Sequence, residues 1–232
     1  MRQLALELKL ADFALFSTYY AGENAAVVAA LKAAATEPGP QVHWLWGTPG
    51  SGRSHLLQAA VAAADGRCAW LPLADAATLS PDLLEGMGAL DLLCVDDVDA
   101  VAGDADWERQ LFRVFEELKS GQGRLIVSAS SAPTEAGFTL RDLQSRLASG
   151  PVWRLQPGND EDLLAALQLR AEWRGLELSD KAGAFLLKRV RRSTAALFDL
   201  LDVADKAALE AQRKLTIPFL RTVLETAESG AE

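Results

Sequence analysis

"GTPGSGRSH", Gly47 to His55, joins the apolar run "VHWLW" (Val42 to Trp46) to the helical pattern "SHLLQAAVAAA". Three glycines in six residues, Gly47, Gly50 and Gly52, between a strand and a helix form the setting that a phosphate-binding loop requires. Successive backbone N–H groups there make a concave anion site, and the helix N-terminus adds partial positive charge. The pattern G-x-x-x-x-G-K-[ST] is met except at one position, where Arg53 replaces lysine. Arginine keeps the charge but is planar and multi-pronged, whereas lysine is a compact point charge. Gly47, Thr48, Pro49, Gly50, Ser51, Gly52, Arg53, Ser54 and His55 are therefore candidate nucleotide-binding residues, with the Ser54 hydroxyl as a Mg²⁺ ligand. A glycine-rich turn without a ligand is the alternative.

Outward from the loop, short apolar strands alternate with helical patterns. "CAWLPL" (Cys68 to Leu73), "LDLLCVDD" (Leu90 to Asp97), "RLIVSAS" (Arg124 to Ser130) and "VWRL" (Val152 to Leu155) read as strands. "WERQLFRVFEEL" places Trp107, Leu111, Phe115 and Leu118 on one helical stripe, and "TLRDLQSRLAS" is a short helix. This alternation predicts an α/β fold, a five-stranded parallel sheet with helices on both faces. "QPGND" (Gln156 to Asp160) is turn-like, with Asn159 as an N-cap. Beyond it only helices are expected: Asp160 to Arg174, one starting at the N-cap Ser179, Ser193 to Lys214, and one from Thr216 with Pro218 in its first turn. The expected division is an N-terminal segment 1–12, an α/β domain 13–156 and a small all-helical domain 157–232.

"LLCVDDVD" ends a buried strand on Asp96, the arrangement in which a carboxylate holds Mg²⁺ beside a bound nucleotide. Asp97 follows, where many ATPases place a glutamate that polarises the attacking water. Strand-end acids that only cap a turn are the alternative. Ser130 closes the next strand, where in such a fold a polar group faces the γ-phosphate; a strand-end serine that only serves a turn is the alternative. Arg141 and Arg146 lie on the short helix "LRDLQSRL", where an arginine can reach a neighbour's nucleotide. Such a finger is worth roughly 10³–10⁵ in rate in other phosphoryl-transfer systems. From spacing alone, a solvated helix arginine is the default reading. "KRVRR" (Lys188 to Arg192) reads first as cations complementing a helix C-terminus, and second as a contact for DNA or an acidic partner. In "QLALEL", Gln3, Leu4, Ala5, Leu6, Glu7 and Leu8 alternate with period two. The stretch reads as a half-buried strand, or as an extended peptide docking in an apolar groove.

The bulk numbers exclude several classes. The 232 residues carry a formal net charge of −9, unlike a protein that coats DNA with its whole surface. Two cysteines, Cys68 and Cys94, both in apolar runs, suit buried thiols in a reducing cytosol. "MRQLALELKL" is no signal peptide, and no apolar run reaches a membrane span. Two histidines without a Cys/His cluster supply no zinc site.

The pairing of "GTPGSGRSHLLQA" with "LLCVDDVDAVAG" resembles the AAA+ ATPases of the DnaA type. "FALFSTYYAGENAAVVAAL" is similar to the segment that helps hold the base there. Within that group the resemblance is to the Hda family of regulatory inactivators. It is carried by "GSGRSHLL", "LAALQLRAEWRGLEL", "FLLKRV", "AQRKLTIPF" and the N-terminal "QLALEL". It implies an AAA+ phosphate-loop domain followed by a helical lid, and a cytoplasmic, replisome-associated regulator that limits replication initiation. Gln3 to Leu8 would bind the DNA polymerase sliding clamp, and DNA would be met only through that clamp. Arg146 matches the arginine-finger position, completing the site on DnaA-bound ATP. Asp96 and Ser54 match Mg²⁺ positions, and the chain's own nucleotide would be ADP or ATP. An interface arginine implies a meeting with another AAA+ chain, and a homodimer stays open.

The sequence also departs from the DnaA group. Ala195 stands where that group has a phosphate-contacting lid arginine; Arg191 and Arg192 are nearby. Ser130 stands where relatives usually show an acid. The DnaA group's C-terminal helix-turn-helix domain has no counterpart in the sequence, so no direct sequence-specific DNA reading is expected. Three classes of function remain: a nucleotide-holding regulator, a self-hydrolysing helicase loader or remodeller, and an adaptor with a vestigial site. Arg53 and Ala195 weigh against the second, and the retained glycines, Ser54 and Asp96 against the third.

Overall fold

The structure, a computed structural model, describes residues 14–37, 42–189, 194–211 and 215–229. The peptide Gln3 to Leu8, Arg191, Arg192 and the side chain of Ala195 lie outside the described residues. The chain divides into two compact units. One takes Glu23–Gln156 with the chain up to Phe16, and the other takes Ser17–Gly22 and the chain from Pro157 on.

The first unit is built on five parallel strands: β1 (Val42–Trp46), β2 (Cys68–Pro72), β3 (Leu92–Asp96), β4 (Arg124–Ala129) and β5 (Val152–Arg154). Their order is β2-β3-β4-β1-β5. Every residue of β3 and β4 is buried, as expected of central strands covered on both faces. β5 lies at an edge, and Val152 and Arg154 are exposed. Four helices accompany the sheet: α1 (Ala25–Thr36), α2 (Arg53–Ala63), α3 (Ala105–Ser120) and α4 (Arg141–Leu147). The strand expectations hold to within two residues at each end. The structure adds α1, whose alanine-rich sequence shows little periodic contrast. It also adds short 3₁₀ turns between β2 and β3 and after β3 at Val98–Val101.

The core under the sheet centres on Trp44, fully buried, whose ring meets Phe138 edge-on at 6.3 Å. Its indole N–H donates to the Ser131 carbonyl at 3.0 Å, fixing the loop after β4 to β1. At the opposite end of β4, the buried Arg124 serves as a helix stop. Its Nη1 donates to the carbonyls of Ala34, Ala35 and Glu37, at 3.0, 2.6 and 2.9 Å. A cation at the C-terminal end of α1 meets the negative end of the helix dipole, so its burial is compensated without an acid. Cys94 is buried and Cys68 half-buried, and both are free thiols.

The second unit holds α5 (Asp160–Trp173), α6 (Asp180–Arg189), α7 (Thr194–Ala211) and α8 (Ile217–Ser229) around its own leucine core. Asn159 caps α5 as expected and forms a full capping box with Asp162. Arg170 bonds both oxygens of Asp202 at 3.0 Å and stacks over Phe198, tying α5 to α7. Arg174 adds contacts to Asp202 and Asp205. Among the described residues, no helix is long and apolar enough to cross a membrane.

One buried carboxylate decides where α4 sits. Glu108 on α3 accepts from the amides of Gly103, Thr139 and Leu140 and from the Thr139 hydroxyl. Burial opposes its charge, but these donors outweigh that and hold its carboxyl below the ordinary value of 4.5. A carboxylate with a lowered folded pKa stabilises fully above the unfolded value and loses that contribution as pH falls through the folded one. Glu108→Gln is therefore expected to destabilise the protein at pH 7 by about 1–3 kcal/mol. It should also flatten the loss of stability below about pH 5. Urea unfolding of both proteins between neutral and acidic pH measures this; equal stabilities at pH 7 would contradict it.

Candidate functional site

The loop gathers at the C-terminal ends of β1, β3 and β4, where open parallel sheets bind ligands. Gly50 and Gly52 take left-handed φ values of +80° and +92°, which glycine allows without strain. Gly47 is required for space: a Cβ there would meet Ser51 Oγ at 2.8 Å and Leu155 Cβ at 3.1 Å. The N-cap of α2 is Gly52, and no side chain caps this helix, unlike α3 and α5. Gly52, with no side chain, offers the first-turn amides no capping oxygen of its own, which suits an anion. Ser54 is exposed in that first turn, and Thr48 and Pro49 are exposed on the loop.

Arg53 turns inward. Its Nη1 donates to the carbonyls of Gly47 and Ala129, each at 2.7 Å, and its Nη2 to Asp97 Oδ1 at 2.7 Å. The guanidinium therefore bridges the phosphate loop, the end of β4 and the residue after β3.

The acids form a connected set. Asp96 is 2 % exposed and accepts from the hydroxyl of Ser128, a buried serine of β4. The same hydroxyl accepts from the Asp97 amide at 2.9 Å. Asp97 sits at φ +53°, an uncommon conformation for a non-glycine residue. Burial and the nearby Asp96 push its carboxyl up, Arg53 pulls it down, and Asp99 adds to the upward push. Ser130 is tied to a third acid, Asp99. Its amide donates to Asp99 Oδ2 at 2.9 Å, and its hydroxyl bonds the same oxygen. The carboxylate missing at position 130 is thus brought beside it by Asp99, from the 3₁₀ turn after β3.

The residue types present fit a Mg²⁺-bound nucleotide: a glycine loop, an exposed Ser54 hydroxyl, and the Asp96 carboxylate at the end of β3. Mg²⁺ keeps several waters and needs few protein ligands when phosphates share it. Two further contacts shape the surroundings. His55 Nε2 donates to the Leu15 carbonyl at 2.8 Å, fastening the segment before α1 to α2. Asn24 pairs with the backbone of Gln156 in both directions, at 3.1 and 2.8 Å.

Arg146 lies apart from this cradle, on α4. It is 45 % exposed, and its Nε faces Glu116 Oε1 of α3 at 3.0 Å. Arg141 is exposed on the same helix. Lys188 and Arg189 occupy the last turn of α6, as cations near a helix C-terminus do.

The sequence reading passed over Ser128, Asp99, Glu108 and Glu116. Asp99 was signalled, since "DDVD" offers three acids, but only a turn after β3 brings it to Ser130. Ser128 and Glu108 carry no motif; their partners come from other strands and loops.

Two family models match consecutive parts of the chain. The bacterial DnaA ATPase domain matches residues 80–155, and "Hda, lid domain" matches residues 160–224. Among solved structures, domain III of the Thermotoga maritima replication initiation protein DnaA is similar at TM-score 0.74 and 20% identity. That match covers 94% of this chain and 98% of the other. AMPPCP-bound DnaA from Aquifex aeolicus follows at TM-score 0.69 and 22% identity, over 84% and 66%. The Thermotoga maritima RuvB branch migration motor matches at TM-score 0.64 and 14% identity, over 91% and 73%. At these identities the solved structures establish the fold, a five-stranded AAA+ sheet domain, and the lid match extends the likeness to the helical unit. Together the two family matches and the solved structures support a DnaA-like protein of the Hda family, with an AAA+ sheet domain and an Hda-type lid.

Proposed function

We propose that the protein is a regulator of replication initiation that holds its own nucleotide and acts on the nucleotide of a partner. The observation that carries this reading is the contrast between two arginines. Arg53, in the position of the phosphate-loop lysine, is engaged by the protein's own carbonyls and by Asp97. Arg146 stands exposed on α4, where among the described residues it pairs with the partly exposed Glu116, a contact that costs little to break.

The glycine cradle, the uncapped α2 N-terminus, Ser54 and Asp96 support nucleotide binding with Mg²⁺. The AMPPCP-bound DnaA structures among the similar folds support it further. ADP is the expected resting ligand, and hydrolysis in the protein's own site is weak or absent. Arg146 is the trans-acting finger completing the ATP site of DnaA. Gln3 to Leu8 is the clamp-binding peptide within residues 1–12, residues 13–156 are the nucleotide domain and 157–232 the lid. The protein works in the bacterial cytoplasm, attached to the replisome through the sliding clamp and to DNA only through it. A self-hydrolysing helicase loader is the competing reading, and the engagement of Arg53 disfavours it.

Two experiments test this. Arg146→Ala should keep nucleotide and clamp binding yet lose stimulation of DnaA's ATPase by at least about 10³-fold, as removal of a finger does elsewhere. The assay is hydrolysis of DnaA-bound ATP with DNA-loaded clamp, and full stimulation by the variant would contradict the assignment. Gln3→Ala should release the folded protein from clamp-coated beads; undiminished retention would contradict the peptide assignment.

A further inference from the structure

The fork of Arg53 is filled from within. Its three contacts come from different parts of the chain: Gly47 after β1, Ala129 at the end of β4, and Asp97 after β3. The Arg53 side chain is 13 % exposed and that of Asp97 28 %. Asp97 is held at both ends, by Arg53 on its carboxylate and by the Ser128 hydroxyl on its amide. Its left-handed backbone persists because these contacts over-determine it. An arginine that recognises phosphate turns its fork toward the ligand. This one turns it toward the strand ends.

We propose that Arg53 is a positioning residue that locks Asp97 into an ion pair, keeping from reaction the carboxylate that would activate water at this site. The loop backbone then binds the nucleotide, and the site is silent because its base is occupied. The proposal rests on the reading that the protein binds nucleotide here, and it names the device that keeps the bound nucleotide intact. Release of Asp97 would let its carboxylate accept a proton from a water whose oxygen bonds to the terminal phosphorus of ATP. The bond from that phosphorus to its bridging oxygen breaks, and the electron pair leaves on ADP.

Lysine is the discriminating substitution. Its ammonium is a point charge on a flexible stem and cannot span three fixed acceptors as a planar fork does. Arg53→Lys therefore unlocks Asp97 while retaining the charge. The test compares the full-length protein with Arg53→Lys, Asp97→Asn and the double variant. It measures turnover of Mg-ATP, affinity for ADP by titration, and melting temperature without nucleotide.

Arg53→Lys should hydrolyse ATP at least about tenfold faster than the original protein, a modest share of what a freed general base contributes. The double variant should lose that gain. ADP affinity should stay within about threefold, since the backbone cradle is untouched. The melting temperature should fall by about 3–6 °C on Arg53→Lys, and by less than half of that when Asp97 is already Asn.

Several results overturn the lock. Arg53→Lys could be no faster than the original, or the gain could survive in the double variant. ADP affinity could collapse by about a hundredfold, which would make Arg53 a phosphate ligand. The melting temperature could fall equally in both backgrounds. If the original protein binds neither ADP nor ATP, the nucleotide reading fails with it. If it binds ADP and Arg53→Lys stays silent, only the lock fails.

Discussion

The guanidinium of Arg53 lies where three strand ends converge, and the hydrogen-bonded spacing of the sheet fixes how far apart its acceptors stand. The parallel register pairs Trp46 with Ala129, so the carbonyl of Gly47 and that of Ala129 open toward the same point. β3, on the other side of β4, delivers Asp97 to the remaining side of the fork. The sheet thus acts as a ruler: its register determines whether one planar group can satisfy all three acceptors. Ser128 extends the arrangement by linking the Asp97 amide to the Asp96 carboxylate. The glycine loop and the buried Asp96 are thereby coupled through Arg53, Asp97 and Ser128.

The other arginine depends on a separate frame. α3 presents Glu108 to the turn that starts α4, and Glu116 to Arg146 within α4. The first contact is buried, many-armed and strong; the second is exposed and weak. A helix fixed firmly and a side chain fixed loosely suit an arginine that leaves its own protein to meet another. Burial separates the two arginines: Arg53 is held inside, and Arg146 lies at the surface.

Much of this architecture is written in local sequence pattern. Apolar runs at Val42–Trp46, Leu92–Asp96 and Arg124–Ala129 carry the central strands, because full burial on both faces leaves no room for polar alternation. Gly47, Gly50 and Gly52 mark the loop because no other residue fits its geometry and space. Asn159 and Ser179 announce helices by capping chemistry, and both serve as N-terminal acceptors. What the pattern did not carry are contacts between distant segments. That Arg53 faces Asp97 and not outward, that Asp99 serves Ser130, and that Glu108 collects the donors before α4 all depend on loops crossing between strands. The replacement of lysine by Arg53 was visible, but its consequence was not. A single letter says which group is present, and only the register says what that group reaches.

The most direct measurement is a single-turnover reaction with two differently labelled ATP pools, one bound beforehand to this protein and the other to DnaA. The proteins are mixed on DNA-loaded clamp, and the fate of each label is followed separately. The account predicts that the DnaA-bound label is hydrolysed while the label on this protein persists. Loss of this protein's own label, with DnaA's left intact, would contradict it.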